Sequence, residues 1–201
     1  MSSIVNLRVF ASTAAVPTVV FVDLQQEYQA APRLLAIRDI DGALANCRRV
    51  LDHARRIGLP IAFVRRSDNS PFFNRTSPLA RWIEGFEPDR HEMIFERSHP
   101  SCYASEPFAS FMSQCAGGIV LCGFAGESAC LSTMVDAHHR HQRAIFLADA
   151  SASHDLDDLD AAQAHRAVSK ICGLYGDVCD TQDWIAATLP RHLGVEKNAS
   201  G

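Results

Sequence analysis

Short apolar runs divide the chain at fairly regular intervals. Most are apolar along their length instead of alternating with polar residues, a pattern typical of strands buried on both faces of a parallel sheet. The predicted strands are 18–22, 61–64, 92–96, 119–122, 144–149 and the short 178–179.

A helical pattern lies between the first two runs. Over 39–58, apolar residues recur at spacings of three and four and so share one face of a helix: Leu44, Cys47, Val50, Leu51, Ala54 and Ile57. Asp39 or Asp41 is predicted to cap the start of this helix, and Gly58 to end it. Further helices are predicted over 106–114, 127–142, 155–171, which would have an acidic first turn, and 181–189, which Thr181 is predicted to cap.

Strands that alternate with helices favour an α/β protein. Right-handed crossovers then give a doubly wound, Rossmann-like three-layer sandwich around a mostly parallel sheet of about six strands. A length of 201 residues fits one domain. We expect that domain to span residues 1–201, with a loosely held lead-in at 1–15 and a frayed tail at 195–201.

Charge and composition narrow the classes of partner. The net charge of −4 and the isoelectric point of about 6.1 give no support for binding nucleic acid or an anionic membrane surface. No apolar run approaches the ~20 residues of a membrane helix, and the first residues lack a secretory signal. The seven cysteines are odd in number and scattered, which favours a reducing compartment. We therefore expect a cytoplasmic protein.

No cofactor and no metal are expected. Neither Gly-x-Gly-x-x-Gly nor Gly-x-x-x-x-Gly-Lys-Ser/Thr follows the first predicted strand, which argues against a dinucleotide or a nucleoside triphosphate. His138, His139 and His141 are clustered, but neighbouring residues of a helix point to different sides, and no carboxylate joins them at ligand spacing. A solvated helix end is the favoured interpretation.

The segment 67–90 is rich in turn-forming residues but also carries Phe72, Phe73, Trp82 and Phe86. A segment of this length without a periodic pattern is either disordered or covers a site. Because of its aromatic residues, we favour a packed lid that contributes aromatic walls to a pocket.

Residues or segments that could take part in catalysis follow three of the predicted strands. Asp23 directly follows the first, Arg97 the third, and the small-residue turn 123–130 the fourth. The carboxyl ends of parallel strands meet at one edge of the sheet, where open α/β folds bind ligands. Asp23 could instead cap the following turn. An acid, a cation and the unpaired N–H groups of a helix start would together form an acid–base site with an oxyanion pocket.

The order and spacing of these segments carry a resemblance to a known family. Residues 20–25 are similar to its first strand and catalytic aspartate, and residues 97–108 to its Lys-x-x-x-Ser-Ala-Phe segment. Residues 123–137 resemble Gly-Val-x-Thr-x-x-Cys-Val-x-x-Thr-Ala-x-Asp-Ala, and 149–150 match the Asp-Ala that ends the next strand. From Val19 to about Trp184, the chain resembles the isochorismatase-like hydrolases, which include isochorismatases, nicotinamidases and N-carbamoylsarcosine amidases.

Two positions depart from the family pattern. Arg97 stands where the catalytic lysine is expected, and arginine cannot exchange a proton near neutral pH, although it can hold a negatively charged oxygen. Amidase members carry their cysteine six residues after the glycine of the turn, which here is Ala129, with Cys130 one residue later. One residue rotates a helical side chain by about 100°, so Cys130 is expected to face the core. Isochorismatases resemble this arrangement, since they protonate a vinyl ether through the aspartate and need no thiol.

Three hypotheses remain open. The first is a hydrolase of a small, anionic metabolite with Asp23 as acid/base, Arg97 as electrostatic clamp and no cysteine nucleophile. The second is an amidohydrolase in which the turn bulges and Cys130 reaches the cleft as nucleophile. The third is a non-catalytic member that keeps the fold and binds a metabolite or a partner.

The resemblance also implies a set of site residues. Besides Asp23, Arg97 and Cys130 as catalytic candidates, contacts with the substrate are expected from Gln25, Trp82, Tyr103, Phe124, Ala125 and Ala129. A non-proline cis peptide is implied between Phe124 and Ala125. Self-association as a dimer or tetramer is expected.

Overall fold

The computed structural model describes residues 16–189, and a six-stranded parallel sheet forms its centre. The strands are β1 (Thr18–Val22), β2 (Ile61–Arg66), β3 (Met93–Arg97), β4 (Ile119–Gly123), β5 (Ala144–Ser151) and β6 (Asp177–Cys179). Their order is β3-β2-β1-β4-β5-β6, and every neighbouring pair is parallel. The predicted lead-in and tail lie outside the described residues.

Five helices cover the two faces of this sheet within residues 16–189. They are α1 (Asp41–Ile57), α2 (Glu106–Ser113), α3 (Leu131–His139), α4 (Ala161–Cys172) and α5 (Thr181–Thr188). Side chains of α1 and α5 pack in one core cluster, and side chains of α2, α3 and α4 pack in the other. The predicted doubly wound, three-layer α/β fold is therefore confirmed.

The central strand β1 shows why its sequence is apolar throughout. Val19 and Phe21 belong to the core cluster on the α1 side, and Val20 and Val22 belong to the cluster on the opposite face. None of these four side chains has exposed surface. Because both faces are covered, an alternating pattern would bury polar groups.

The predicted boundary signals of α1 are half right. Its last residue is followed by Gly58 with φ of 72°, as predicted, since glycine adopts this left-handed conformation without steric cost. Its N-cap residue is Ile40, and no side chain caps it, so the predicted cap by Asp39 or Asp41 is wrong.

Two other helix starts differ from the prediction. The predicted helix 155–171 begins only at Ala161, because Asp160 and Gln163 form a reciprocal capping box. Its acidic segment is therefore a connection that precedes the cap instead of the first turn of the helix. At α5, Thr181 is the first helical residue, and its hydroxyl donates to Asp149 Oδ1 at 2.8 Å instead of capping the helix.

The aromatic segment 67–90, here called the lid, is packed against the sheet. Phe73 and Phe86 are buried in the core cluster on the α1 side, and Phe72 and Trp82 pack against it half-buried. The Arg48 guanidinium of α1 lies 4.2 Å from the centre of the Phe86 ring, a distance at which cation and ring attract. The lid is thus an ordered part of the domain.

Candidate functional site

Asp23 lies at the carboxyl end of the central strand. Its N–H donates to Val64 O at 2.8 Å, which continues the β1–β2 ladder by one residue. Its φ of 49° is in the left-handed region, which aspartate tolerates better than most residues. The side chain has no exposed surface. A charged group placed this way needs strong partners.

Arg97, the last residue of β3, provides the main partner. Its Nη2 donates to Asp23 Oδ2, and its Nη1 donates to His99 O at 2.6 Å. The arginine is only 5% exposed, so the two residues form a buried ion pair. Asp23 Oδ1 and Arg97 Nε have no hydrogen-bond partner among the described residues. One acceptor and one donor of the pair therefore keep unused hydrogen-bonding capacity, although both atoms are buried.

Burial dominates the proton affinity of this carboxyl group. It raises the pKa of Asp23 from 3.8 to about 6, because the charged form loses its hydration. The positive charges of Arg97 and Arg66 and a hydrogen bond from Tyr28 act in the opposite direction and limit the rise. A carboxyl group with this pKa can both donate and accept a proton near neutral pH.

The turn after β4 lies beside Asp23, since Gly123 pairs with Val22 in the sheet. Gly123 has φ of 112°, and a Cβ there would lie 2.1 Å from Val22 O, so only glycine fits. The next peptide bond, Phe124–Ala125, is cis, as the family resemblance predicts. A π-helical turn over Gly126–Cys130 then leads into α3, whereas a helix over 127–142 was predicted.

Cys130 faces the core at the end of this turn. Its Sγ lies 3.5 Å from Gly123 O and 3.8 Å from Ser151 Oγ, and the residue has no exposed surface. Burial raises the pKa of its thiol well above the ordinary value. Ala129, which precedes it, is 1% exposed, and its carbonyl accepts from Thr133 Oγ1 at 2.7 Å.

The family model for the isochorismatase domain matches residues 17–183, most of the chain. The chain belongs to the isochorismatase family. Members of this family are hydrolases, and the match includes Asp23, Arg97 and the turn after β4. A search of curated proteins finds no significant match to this sequence.

Solved structures agree with this assignment. This family member is similar to an isochorismatase from Pseudomonas putida KT2440, with 28% identity, a TM-score of 0.76, and coverage of 83% of this chain and 89% of that one. A cysteine hydrolase from Pseudomonas syringae pv. phaseolicola 1448A has 21% identity and a TM-score of 0.76, and the match covers 88% of this chain and 97% of that one. N-carbamoylsarcosine amidase from Thermoplasma acidophilum has 20% identity and a TM-score of 0.66, and the match covers 83% of this chain and 96% of that one. The last two likenesses concern the fold alone.

Two expected substrate contacts of this isochorismatase-family chain have structural partners instead. The Gln25 amide donates to Arg66 O and Ala80 O and accepts from Arg66 N, so its polar atoms brace β2 against the lid. Trp82 packs edge-on against Phe63, with the ring centres 5.5 Å apart. The polar atoms of Gln25 are therefore engaged by backbone groups, and one edge of the Trp82 indole is engaged by Phe63.

Tyr103 also departs from its expected role. Its hydroxyl donates to Gln142 Oε1, and the side-chain amide of Gln142 donates in turn to Met112 O. Gln142 follows the carboxyl end of α3, whereas the turn that leads into α3 from Gly123 adjoins Asp23. The phenol group is therefore directed away from the Asp23 carboxylate, because it links α2 and the end of α3.

Phe124 and Ala125 remain beside Asp23, and the structure adds residues that the sequence did not single out. The Tyr28 hydroxyl lies 3.4 Å from Asp23 Oδ2, and the Tyr28 ring lies 6.2 Å from the Phe124 ring. Glu127, in the π-helical turn, pairs with His154 at 2.7 Å. A turn after β1 brings Tyr28 back to Asp23, and no periodic pattern in the sequence signals that return.

Residues 16–189 contain neither a candidate metal site nor a helix that could cross a bilayer. Within that range, no group of three or more His, Cys, Asp or Glu side chains is arranged to hold a metal ion. His138, His139 and His141 are exposed at and just beyond the end of α3. None of the helices described is long and apolar enough to span a bilayer.

Proposed function

We propose that this protein hydrolyses a small, anionic metabolite by acid–base chemistry at Asp23, without a cysteine nucleophile. The observation that carries the proposal is the buried Asp23–Arg97 pair, in which one carboxylate oxygen is held and the other has no partner among the described residues. The raised pKa of Asp23, about 6, suits a group that exchanges protons near neutral pH.

The two oxygens of Asp23 have different roles in this proposal. Oδ2 accepts from Arg97 and from Tyr28, and it fixes the orientation of the carboxyl group. Oδ1 carries the exchanging proton. With an enol ether as substrate, Oδ1 gives its proton to the alkene carbon, and water adds to the resulting oxocarbenium carbon. Asp23 takes back one proton of the added water, and the other passes to the departing alkoxide oxygen as the hemiketal C–O bond breaks and the carbonyl group forms, so the protonation state of Asp23 is restored.

Arg97 acts as a fixed positive charge in the same proposal. Arginine does not release its proton near neutral pH, so it cannot replace a lysine as a proton carrier. Its unpartnered Nε is a buried donor beside the carboxylate. A negatively charged oxygen of the substrate would complete the hydrogen bonding of this guanidinium, which supports an anionic substrate.

The surroundings of Cys130 argue against the amidohydrolase alternative. A thiol nucleophile needs access and a lowered pKa, whereas this thiol is buried, bonds to Gly123 O and has a raised pKa. The position six residues after Gly123 is occupied by Ala129, which has no nucleophilic atom.

A panel of small carboxylated enol ethers and the corresponding amides tests the proposal. The wild-type protein is expected to release the enol-derived product. Cys130→Ala should retain the rate and Asp23→Asn should lose it. If only amides are hydrolysed and this activity is abolished in Cys130→Ala, the amidohydrolase hypothesis replaces the proposal. Turnover of neither class, with binding of an anion to both the wild type and Asp23→Asn, would support a non-catalytic binding protein.

A further inference from the structure

We propose that Tyr28 is a positioning residue for Asp23, an inference that rests on the acid–base role proposed for Asp23. The two residues are five apart in sequence, and the 3₁₀ turn Gln26–Tyr28 after β1 brings the phenol back to the carboxylate. The Tyr28 hydroxyl donates to Asp23 Oδ2 over 3.4 Å. Among residues 16–189, Asp23 is the hydrogen-bond partner of the Tyr28 hydroxyl.

The Tyr28 ring is held on several sides. Its centre lies 5.5 Å from that of Phe73 in the lid, 6.2 Å from that of Phe124 and 6.0 Å from that of His154. The residue is 5% exposed, and its backbone carbonyl accepts from Ile37 N at 2.8 Å. Because rings from three separate segments surround it, the phenol cannot rotate away from Asp23 without disturbing the packing.

Tyr28 and Arg97 converge on the same oxygen from different parts of the fold. Arg97 ends β3, two strands away from β1, whereas Tyr28 follows β1 itself. Two donors at one oxygen position disfavour a proton there, so the proton of the neutral carboxyl group lies on the other oxygen, Oδ1, which has no partner among the described residues. Tyr28 thereby helps to decide which oxygen carries the exchanging proton.

Tyr28 remains a donor throughout the working range of pH. Burial and the negative charge of Asp23 raise the pKa of Tyr28 well above its ordinary value of 10. A phenol that keeps its proton stabilises the charged form of the carboxyl group and so lowers the pKa of Asp23 relative to burial alone. Removing only this hydroxyl should therefore raise the pKa of Asp23.

The test is a ¹³C NMR titration of the aspartate carboxyl groups in the wild type and in Tyr28→Phe, with Asp23→Asn to assign the signal. The midpoint of Asp23 should rise by about half a pH unit to one unit in Tyr28→Phe. Tyr175→Phe is the matched control, because this half-buried ring packs against His138 and not against Asp23. That control should leave the midpoint unchanged.

A second measurement covers the case in which Tyr28→Phe does not fold. Placing 3-fluorotyrosine at position 28 keeps the ring and makes the phenol a stronger donor, so the midpoint of Asp23 should fall. An unchanged midpoint in either variant would overturn the inference and leave Tyr28 as a packing residue. The titration needs no substrate, so a shifted midpoint with unimpaired turnover in Asp23→Asn would refute the proposed function alone.

Discussion

The Cys130 thiol donates to the carbonyl oxygen of Gly123, with its Sγ 3.5 Å from that oxygen. The glycine ends β4 and the cysteine ends the π-helical turn, so this contact closes the turn on its core side. A sulfur atom held in this way faces the sheet and not the outer side of the turn.

Replacing Cys130 by alanine should therefore affect stability more than activity. The cavity left by the sulfur atom should lower the free energy of unfolding by at most ~1–2 kcal/mol. The hydrolytic rate should be nearly unchanged. Urea denaturation and steady-state rates of the purified variant measure the two effects separately.

Iodoacetamide labelling provides the control for that variant. Cys115 and Cys179 are partly exposed, whereas Cys130 is buried, so the first two should be alkylated before it. Rapid modification of Cys130 in the folded protein, together with loss of activity, would contradict the prediction and favour the amidohydrolase hypothesis.

Ala129→Cys should behave differently from the native thiol. In a Cys130→Ala background, the new sulfur would lie at the position six residues after Gly123, within the turn that leads into α3. The N–H groups of a helix start favour a thiolate. We expect this thiol to be alkylated faster than Cys130 of the wild type under the same conditions, as followed by mass spectrometry. Equal rates would count against the register proposed for this turn.

Asp23→Asn should abolish turnover and leave the melting temperature within a few degrees. The amide removes a carboxylate that is costly to bury but still accepts a hydrogen bond from Arg97, so the effects on stability oppose each other. Asp183→Asn, at an exposed position of α5, is the matched control and should retain activity. Retained activity in Asp23→Asn would remove both enzymatic hypotheses.

The pH dependence of kcat/KM should show the protonation state in which Asp23 works. With a pKa of about 6 in the free protein, a general acid is active while protonated. The rate should be constant below pH ~6 and fall about tenfold per unit above it. A rate that falls below pH ~6 instead would identify Asp23 as a base, as the amidohydrolase mechanism requires.

The ion pair of His154 and Glu127 should make stability depend on pH. His154 Nδ1 lies 2.7 Å from Glu127 Oε1 and its Nε2 lies 3.0 Å from Leu35 O, so both nitrogens face acceptors and both carry protons. The hydrogen bond to Glu127 outweighs burial and raises the pKa of His154 above 6.5. The stabilisation is therefore complete below pH 6.5 and is lost as the pH rises through the raised value.

Urea denaturation of the wild type and His154→Gln at pH 6 and pH 9 measures this effect. The difference between the two proteins should be larger at pH 6 by about 1 kcal/mol or less, because both side chains retain contact with solvent that screens the pair. His91→Gln, an exposed position before β3, should show no such change. A difference that is equal at both pH values would contradict the assignment of an imidazolium at His154.

The sequence predicts the sheet and the place of Asp23 because those features follow from local patterns. A strand covered on both faces is apolar throughout, and a polar residue at its end lies at the sheet edge. The use of Gln25 as a brace, the direction of the Tyr103 phenol and the return of Tyr28 depend on segments distant in sequence. The hydrophobic periodicity of the sequence contains no information on such contacts, so they become visible only in the folded structure.

The burial of the Asp23 carboxylate has a consequence for how ligands would be measured. A side chain with no exposed surface can meet a substrate only after neighbouring residues move, and Phe73 of the lid packs on the ring of Tyr28, whose hydroxyl contacts Asp23 Oδ2. The apparent affinity is then the intrinsic affinity reduced by the fraction of molecules that are open. A substitution in the lid therefore changes the apparent affinity without contacting the ligand, because it changes the fraction of molecules in which Asp23 is accessible.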